Sequence, residues 1–343
     1  MVGPAIQVRT YEDTDQARWD DYVRRSDHSD FGQLIRWKNF VEGSYPVRAC
    51  YFLAEDEQGI RGILPLFKKR GFHPLLFSAP GGLLADDASI AEALLEPARV
   101  MLMQERLEMI ELRDHTRAWP GLQTNEQHVK MILNLSAKVE EQWNAFDTHL
   151  RTKIRKGQKA GFSACWDRNR VGDFYRVMLE NMRDLGTPFR NERYFRKAFT
   201  HLGQTINLLI LTYHGKPTGT LLVVEHGDTL INPLGSCRKE ALVLRSNELL
   251  YWEALKYAIN HGFKYFDFGR SQWNSGTFRF KSKWGTKPVQ LYYQYILGRK
   301  TRPPAFEDQK QRYNVIVKIW KRLPLFAVGF LGELARKRFP ELA

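Results

Sequence analysis

The residues best suited to chemistry lie in the stretch YFDFGRSQWNSGTFRFKSKWG, at positions 265–285. The aromatic run KYFDF predicts a short buried strand, which Gly269 ends. A carboxylate, a guanidinium, a hydroxyl and an amide stand at or just after this strand end, on Asp267, Arg270, Ser271 and Asn274. Open α/β sheets usually place their chemistry at strand ends. This stretch is therefore the first candidate for an active site.

A second chemical feature is the strongly basic helix predicted from HLRTKIRKGQKAG, at positions 149–161. It carries five cations, on Arg151, Lys153, Arg155, Lys156 and Lys159. Like charges at helical spacings repel one another by about 0.2–0.5 kcal/mol per pair. A phosphate-rich ligand, tRNA or an acidic membrane would offset that repulsion. The alternative interpretation is a solvated helix face that binds nothing.

Two predicted helix ends also carry polar groups. The segment ENMRDLGTPF ends a helix and leaves Asn181, Arg183, Asp184 and Thr187 near that end. An arginine beside an aspartate is more often a structural ion pair than a catalytic one.

Arg245, Ser246 and Asn247 begin a further predicted helix, where free N–H groups attract anions. Ser246 or Asn247 as a plain N-cap is the alternative. The approach to this helix has no glycine after Gly235, which counts against an ordinary coenzyme A site.

Composition excludes several classes of protein. The 343 residues carry 52 Lys/Arg and 38 Asp/Glu, and the net charge of +14 favours an anionic partner. Three widely separated cysteines support neither a disulfide framework nor a metal site, and we expect a cytoplasmic protein with no metal. No serine hydrolase elbow or zinc motif occurs, and the DFG triplet at 267–269 lacks the other kinase motifs. The chain shows no signal peptide and no apolar run long enough to span a bilayer.

Two spacings indicate an internal duplication. The predicted hairpin turns at Gly59 and Gly215 are 156 residues apart, and so are the strand-end acids Glu111 and Asp267. We therefore predict two copies of one α/β unit, each with a hairpin, a helix and a further strand. The predicted domains are 1–137, then 138–300 with the active site, then a basic amphipathic tail at 301–343.

The tail combines a basic face with Ile, Trp, Leu and Phe in the segment VIVKIWKRLPLFAVGFLGELARKRF. Residues 299–343 hold eleven Lys/Arg against four Asp/Glu, which is half of the net charge. A helix pair lying on anionic lipid at the inner face of the cytoplasmic membrane is one interpretation. Helices docked on the body of the protein are the other.

Taken together, KIRKGQKAG, NMRDLGTP, NELLYWEAL, FDFGRS and GTFRFKSKWG stand in an order and spacing that resemble the FemAB-like family. The resemblance covers roughly residues 31–297 and is nearest to the branch associated with PEP-CTERM/exosortase systems. It implies an α/β (α+β) fold of two tandem GNAT-like domains, with mixed sheets flanked by helices. It also implies acyl or aminoacyl transfer. The best-known members transfer an amino acid from aminoacyl-tRNA to a cell-wall precursor, with a helical arm for which residues 151–185 are too short.

The resemblance also implies roles for individual residues. Lys281 would be the cation that stabilises the tetrahedral oxyanion. Asp267 would orient Lys281 or Arg270 rather than take a proton, because an aspartate is a weak base unless it is desolvated. Arg183 and Arg270 would hold substrate phosphate or carboxylate. The other predicted substrate contacts are Lys153, Arg155, Lys156, Asn181, Asp184, Thr187, Asn247, Ser271, Gly276, Phe280 and Trp284.

The leading hypothesis is an acyl or aminoacyl transferase that modifies an amine or hydroxyl of a cell-envelope or exopolysaccharide precursor. The acceptor would be an anionic small molecule or a lipid-linked glycan. The donor would be aminoacyl-tRNA or acyl-CoA, with no tightly bound cofactor and no DNA partner. Two alternatives stay open: an acetyl-CoA-dependent N-acetyltransferase of the same fold, and a non-catalytic protein that binds tRNA or membrane.

Overall fold

The computed structural model describes residues 6–70, 74–300, 302–303 and 314–338. The chain forms two compact units. The first contains Met1–His128 and Gln290–Ala305, and the second contains Val129–Val289 and Phe306–Ala343. Two long strands, β7 (Gln123–Asn134) and β13 (Lys287–Leu297), cross the boundaries between these segments.

The first unit is an α/β layer structure built on a mixed sheet. Its elements are β1 (Gln7–Thr10), a 3-10 turn (Asp13–Asp15), α1 (Gln16–Arg25), a second 3-10 turn (Phe31–Gln33), α2 (Ile35–Ser44), β2 (Val47–Asp56), β3 (Gly59–Lys69), β4 (Leu75–Ser78), β5 (Leu84–Ala85), α3 (Ala88–Gln104) and β6 (Met109–His115). The strand order is β1-β2-β3-β4-β6-β13, with β5 beside β3. Strands β4 and β6 are parallel, because α3 crosses over between them.

The second unit repeats this order. Its elements are α4 (Val139–Ala145), α5 (Thr148–Lys159), β8 (Phe162–Trp166), α6 (Val171–Leu185), α7 (Glu192–Leu202), a 3-10 turn (Gly203–Thr205), β9 (Ile206–Tyr213), β10 (Lys216–His226), β11 (Thr229–Cys237), α8 (Lys239–Leu242), α9 (Ser246–Asn260), β12 (Tyr265–Gln272), α10 (Gly276–Ser282), α11 (Asn314–Trp320) and α12 (Leu325–Arg338). The strand order is β7-β12-β11-β10-β9-β8, and β11 and β12 are parallel.

Alternating side chains explain why helices cover the sheet of the second unit. Leu209 and Leu211 of β9 point into one core, where Leu250, Ala254 and Ala258 of α9 meet them. Helix α5 packs on α9 in the same layer. Helix α6 contacts β9, β10 and β11 as well, with Phe174 fully buried. The predicted α/β fold with tandem GNAT-like units and mixed sheets flanked by helices is confirmed.

Two of the strands that the hydrophobic pattern did not predict occupy equivalent places in the two units. These are β4 and β11, the third strand of each antiparallel set and the parallel partner of β6 or β12. Strand β4 is only four residues long, and β11 is interrupted by Asn232, Pro233 and Gly235. Short length and strand-breaking residues both remove the periodicity on which sequence-based prediction depends.

The chain divides differently from the predicted boundaries at residues 137 and 300. Residues 290–297 return to the first unit, where β13 pairs antiparallel with β6, for example Tyr295 with Glu111. Residues 129–134 belong to the second unit, where β7 neighbours β12. Each unit therefore takes its last strand from the other half of the sequence. Hydrophobic spacing cannot reveal such an exchange, because the pattern of apolar residues along a strand does not show which strand it pairs with.

The described part of the tail packs on the second unit. Val328 of α12 is fully buried, and the carbonyl of Phe189 lies where a Cβ on Gly332 would stand. Glu333 accepts a hydrogen bond from the backbone N–H of Asn191 at 3.1 Å. The predicted basic face is partly seen, since Lys318, Lys321 and Arg322 are exposed. Among the described helices, none is long and apolar enough to cross a membrane.

Candidate active site

The pairing of strands β11 and β12 ends at Asp267, one of the residues predicted to be catalytic. Their parallel pairing covers only three positions and ends where Ile231 faces Asp267. Two residues later, Gly269 has φ of +77°, and a Cβ there would lie 2.5 Å from the carbonyl oxygen of Asn232. Only glycine combines this backbone conformation with so close an approach. The glycine thus allows the backbone of β12 to stay close to β11 beyond their last residue pair.

Lys281 bonds to carbonyl groups beyond this last residue pair. Helix α10 starts under a cap in which Ser275 Oγ accepts the N–H of Phe278 at 3.2 Å. One helical turn later, Lys281 Nζ donates to the carbonyl oxygens of Gly269 at 2.9 Å and Arg270 at 3.0 Å. An ammonium has three hydrogens. Among the described residues these two bonds are its only partners, so one hydrogen is available to a substrate oxygen.

The environment of Lys281 affects the protonation of its side chain. The side chain is buried, and desolvation lowers the pKa of its ammonium to about 8. The Asp267 carboxylate opposes that shift, and the Arg270 guanidinium adds to it. The ammonium form therefore still predominates at pH 7. The structure brings together Lys281, Asp267 and Arg270, the three residues predicted to be catalytic.

The other side chains near the end of β12 differ in exposure. Asp267 is 2% exposed, and its Oδ1 accepts the N–H of Gly269 at 2.7 Å. Arg270 is exposed, so its guanidinium can meet solvent or an anion. Ser271 is buried, and its Oγ has no hydrogen-bond partner among the described residues. A buried hydroxyl without a partner is uncommon and is consistent with a ligand or water beside it.

Two further residues of this region were not among the predicted site residues. Asn232 is 3% exposed and donates through Nδ2 to the carbonyl oxygens of Leu222 at 2.9 Å and Leu234 at 2.8 Å. Tyr251 of α9 donates its hydroxyl to Asn232 Oδ1 at 3.2 Å. An asparagine inside the apolar run TLINPL was the signal that could have indicated the first. Together they hold the backbone of β11 that Gly269 approaches.

An aromatic cluster packs around α10. Tyr251 stacks on Phe268 with ring centroids 5.0 Å apart and contacts Phe280 at 5.5 Å. Trp284 is 1% exposed and packs edge to face on Phe146. Phe280 and Trp284, both predicted as substrate contacts, therefore have clear packing roles. Gly276 differs, since a Cβ at that position would meet nothing within 4 Å.

A small cleft of about 100 Å³ lies between α5, the start of α9 and α10. It combines two acids and two cations with an aromatic wall, and it is lined by Asp147, His149, Leu150, Lys153, Glu248, Phe280, Lys283 and Trp284. The indole Nε1 of Trp284 is buried with no partner among the described residues. Lys153, Phe280 and Trp284, three of the predicted substrate contacts, thus line one cleft.

The basic helix α5 is anchored by its apolar side. Leu150, Ile154 and Gly157 are buried, and a Cβ on Gly157 would lie 2.9 Å from the carbonyl oxygen of Arg245. Arg155 lies over the ring of Trp143 at 5.2 Å, a cation–π contact, and Lys156 is exposed. No ion pair neutralises Lys153, Arg155 or Lys156 within the described parts of the chain.

The start of α9 does not resemble a phosphate cradle. Arg245 takes the N-cap position with φ of +64° and provides no side-chain cap, and Ser246 is fully buried. The predicted N-cap role of Ser246 or Asn247 is therefore wrong, and Asn247 is half-buried. Glu248 occupies the first turn, 3.7 Å from Arg245. Its carboxylate would repel a pyrophosphate at the N–H groups of this helix.

The four polar residues at the end of α6 have structural partners or a structural position. Arg183 donates to Asp184 Oδ1 through Nε at 3.1 Å and Nη2 at 3.0 Å. Lys239 adds a bond to Asp184 at 2.8 Å, and both cations hold the pKa of that carboxyl below its usual value. The N–H of Thr187 closes the helix end on Met182, and Asn181 is half-buried.

The first unit contains an equivalent strand end with different chemistry. Glu111 and Arg113 stand 156 residues before Asp267 and Gly269. Arg113 Nη2 donates to Glu111 Oε2 at 2.9 Å, and both side chains are buried. The acid that corresponds to Asp267 is therefore neutralised by a residue on its own strand. Within the described residues, no group of His, Cys, Asp or Glu in either unit could hold a metal ion.

Comparison with known proteins agrees with this geometry. Residues 144–282 match the family model described as an acetyltransferase (GNAT) domain. FemX has a similar structure, with a TM-score of 0.70 and 16% identity over 91% of this chain and all of FemX. No curated protein sequence matches the chain.

Two other similar structures have lower scores. A tandem GNAT protein from the clavulanic acid biosynthesis pathway matches with a TM-score of 0.57 and 11% identity, over 88% of this chain and all of that protein. A protein described as the C-terminal domain of a lysylphosphatidylglycerol synthetase from Agrobacterium fabrum matches at 0.53 and 14% identity, over 83% and 92%. At such identities the likeness concerns the fold. Part of the second unit thus matches an acetyltransferase (GNAT) domain, in a chain whose fold is similar to that of FemX and of a tandem GNAT protein.

Proposed function

We propose that the second unit transfers an acyl or aminoacyl group to an amine or hydroxyl. The observation that carries the proposal is the buried ammonium of Lys281 beyond the last residue pair of β11 and β12, in the domain that matches GNAT acetyltransferases. Attack of the amine or hydroxyl on the activated carbonyl forms the new C–N or C–O bond and develops negative charge on the carbonyl oxygen. Collapse of this intermediate breaks the bond to the carrier, which leaves with the proton that the amine or hydroxyl gives up. A preorganised cation in a desolvated place stabilises that charge most effectively. Lys281 supplies the cation through its remaining hydrogen.

Other residues would position the reactants. Asp267 keeps Lys281 charged and bonds to the N–H of Gly269. Arg270 is exposed at the strand end and would bind a phosphate or carboxylate of the substrate. Lys153 in the cleft, with Arg155 and Lys156 on the same helix, would bind a longer anionic part of donor or acceptor. Holding an amine near the carbonyl supplies much of the barrier reduction.

The substrate we propose is a cell-envelope or exopolysaccharide precursor, either an anionic small molecule or a lipid-linked glycan. The likeness to FemX and the sequence resemblance to the PEP-CTERM/exosortase-associated branch support this choice. The excess of positive charge is suited to a phosphate-bearing acceptor. For the donor, the carboxylate of Glu248 and the absence of glycine before α9 favour an aminoacyl carrier over coenzyme A.

Mass spectrometry of envelope and exopolysaccharide intermediates tests the proposal. Cells lacking the protein should lose one acyl or aminoacyl mass increment from a precursor, and the wild-type gene should restore it. Lys281→Met should not restore it, whereas the exposed control Lys287→Met should. Restoration by Lys281→Met would refute the assigned site. If no intermediate changes mass while the protein still binds tRNA or membrane, the chain is a binding protein.

A second candidate is an acetyl-CoA-dependent N-acetyltransferase, which the match to the acetyltransferase model favours. Isothermal titration with acetyl-CoA separates the two. Our proposal expects no binding in the low micromolar range, and Glu248→Gln should strengthen whatever weak binding exists by removing a negative charge. Low micromolar binding by the wild type would establish the second candidate.

A further inference from the structure

Helix α12 presents an apolar stripe that no other described residue of the chain covers. Phe326 is 82% exposed, Phe330 68% and Leu334 51%, at successive turns of α12. Val328 and Gly332, on the other side of the helix, are the residues that pack against the second unit. Single exposed apolar side chains are ordinary on protein surfaces. Three in register on one helix form a patch of the kind that marks an interaction site.

Cations precede this stripe along the chain, in α11 and in the turn after it. Lys318 and Ile319 of α11 line a hollow of about 280 Å³ together with Arg322 and Leu323 of that turn. Ile319 is itself 58% exposed. The only acid in residues 314–338 is Glu333, which is half-buried and bonded to the N–H of Asn191. The described part of the tail therefore combines exposed apolar groups with exposed cations and contains no exposed acid.

We propose that α11 and α12 dock the protein on an anionic lipid surface, with α12 lying in the plane of the interface. Phe326, Phe330 and Leu334 would enter the boundary between headgroups and acyl chains. Lys318, Lys321 and Arg322 would contact lipid phosphates. Aromatic and aliphatic groups combined with nearby Lys and Arg are what interfacial binding requires.

Two observations favour lipid over other occupants. Residues 299–343 carry a net charge of +7, so a second copy of the chain would bring cations against cations. Helix α12 has 14 residues, whereas a spanning helix needs about 20. The docked and the lipid-bound interpretations of the tail are thus compatible, because one side of α12 binds the second unit and the other side remains exposed.

Vesicle co-sedimentation with the full chain tests the proposal without any substrate, and so independently of the transfer reaction. The wild type should bind vesicles of phosphatidylglycerol and phosphatidylcholine, and bind pure phosphatidylcholine at least about tenfold more weakly. The pair Phe326→Ser and Phe330→Ser should weaken binding to the mixed vesicles by about tenfold or more. Met103→Ser is the matched control, since Met103 is 72% exposed in the first unit, and it should bind like the wild type.

A second pair of substitutions tests how much the cations contribute to vesicle binding. Lys318→Glu with Arg322→Glu should also weaken binding to the mixed vesicles, and added salt should weaken the wild type. All variants are expected to melt at the wild-type temperature, because the substituted side chains are exposed. Should the double phenylalanine variant fail to fold, the single variant Leu334→Ser gives the same test.

Three outcomes would overturn the proposal. One is unchanged vesicle binding by the phenylalanine variants. Another is equal binding to charged and uncharged vesicles. The third is an oligomer, seen by light scattering, that the phenylalanine substitutions convert to monomer, since the stripe would then be an interface between copies of the chain.

Discussion

The Lys281 ammonium has a structural role as well as the chemical role that we propose. The carbonyls of Gly269 and Arg270 lie beyond the last residue pair of β11 and β12, and backbone carbonyls need hydrogen-bond partners. The ammonium supplies both bonds. The same burial lowers its pKa toward the range in which cells operate. A purely structural lysine would satisfy the first observation, so the test must probe the charge.

The first prediction concerns pH. If the ammonium stabilises an oxyanion, kcat/KM should fall as the pH rises through about 8, because deprotonation removes the charge. In Lys281→Arg, whose guanidinium keeps its proton, this alkaline fall should disappear even if the rate is lower. In Lys281→Met, activity below pH 8 should drop by about 100-fold or more, and the alkaline fall should be absent. The measurement is a pH profile of kcat/KM with matched circular dichroism.

The direction of the profile separates two mechanisms. A rate that rises through pH 8 would identify the neutral amine as a general base and contradict the oxyanion role. A flat profile for both the wild type and Lys281→Arg would make the lysine structural only.

Asp267→Asn is the second prediction. The asparagine keeps an oxygen that can accept the N–H of Gly269, so the fold should survive. Because the Asp267 carboxylate raises the pKa of Lys281, its loss should move the alkaline fall to lower pH. If Asp267 were a general base, the Asp267→Asn variant would instead lose activity at every pH. An unshifted profile with full activity would show that Asp267 does not act on Lys281.

At the scale of elements, the site depends on Gly269 within β12, a strand that continues to Gln272 rather than ending at this glycine as the sequence suggested. Gly269→Ala should destabilise the protein by about 2 kcal/mol or more, because φ of +77° disfavours a side chain and the carbonyl of Asn232 blocks it. Urea unfolding measures this. Gly276→Ala is the control, since a Cβ there meets nothing within 4 Å, and its free energy of unfolding should change by less than about 1 kcal/mol. Equal stability of the two variants would contradict the close approach.

The two units share one order of elements but carry different residues at equivalent positions. Position 113 is an arginine that pairs with Glu111, and the equivalent position 269 is a glycine. In the second unit the neutralising cation comes from a separate helix, α10, through Lys281. A cation on another element can be aimed at a substrate, whereas one on the same strand is committed to its neighbour. This difference favours the second unit as the chemical one.

At the scale of the whole molecule, the exchanged strands decide what can fold alone. Gln294 of β13 is fully buried, accepts the N–H of Trp119 at 2.9 Å and donates to its carbonyl at 2.8 Å. Tyr293 donates to Asp114 at 2.8 Å. The fragment 1–137, which the sequence suggested as a domain, lacks these partners and leaves β6 with an open edge. We predict that it does not fold.

The measurement is thermal unfolding of fragment 1–137 by circular dichroism, alone and with a peptide of residues 287–300. The fragment alone should show no cooperative transition, and the peptide should restore one. A cooperative transition of the fragment alone would mean that β13 is dispensable to the first unit.

Much of the fold could be predicted from spacing. The hairpins at Gly59 and Gly215, the 156-residue repeat and the helices before β6 and β12 all follow from local patterns. Strands β4 and β11 escaped prediction because short length or Asn232 and Pro233 hid their periodicity. Among the site residues, Asp267, Arg270 and Lys281 came from one stretch, whereas Asn232 and Tyr251 belong to elements distant in sequence.

By itself, the sequence determined the α/β class, the duplication, the basic character and the stretch at 265–285, because these depend on residue order and local periodicity. Tertiary structure alone decided that Lys281 bonds to the carbonyls of Gly269 and Arg270, and that its pKa falls. It also decided that residues 290–297 complete the first unit and that α12 keeps an exposed apolar stripe. Desolvation, strand pairing and uncovered faces arise from contacts between distant residues, which spacing along the chain does not encode.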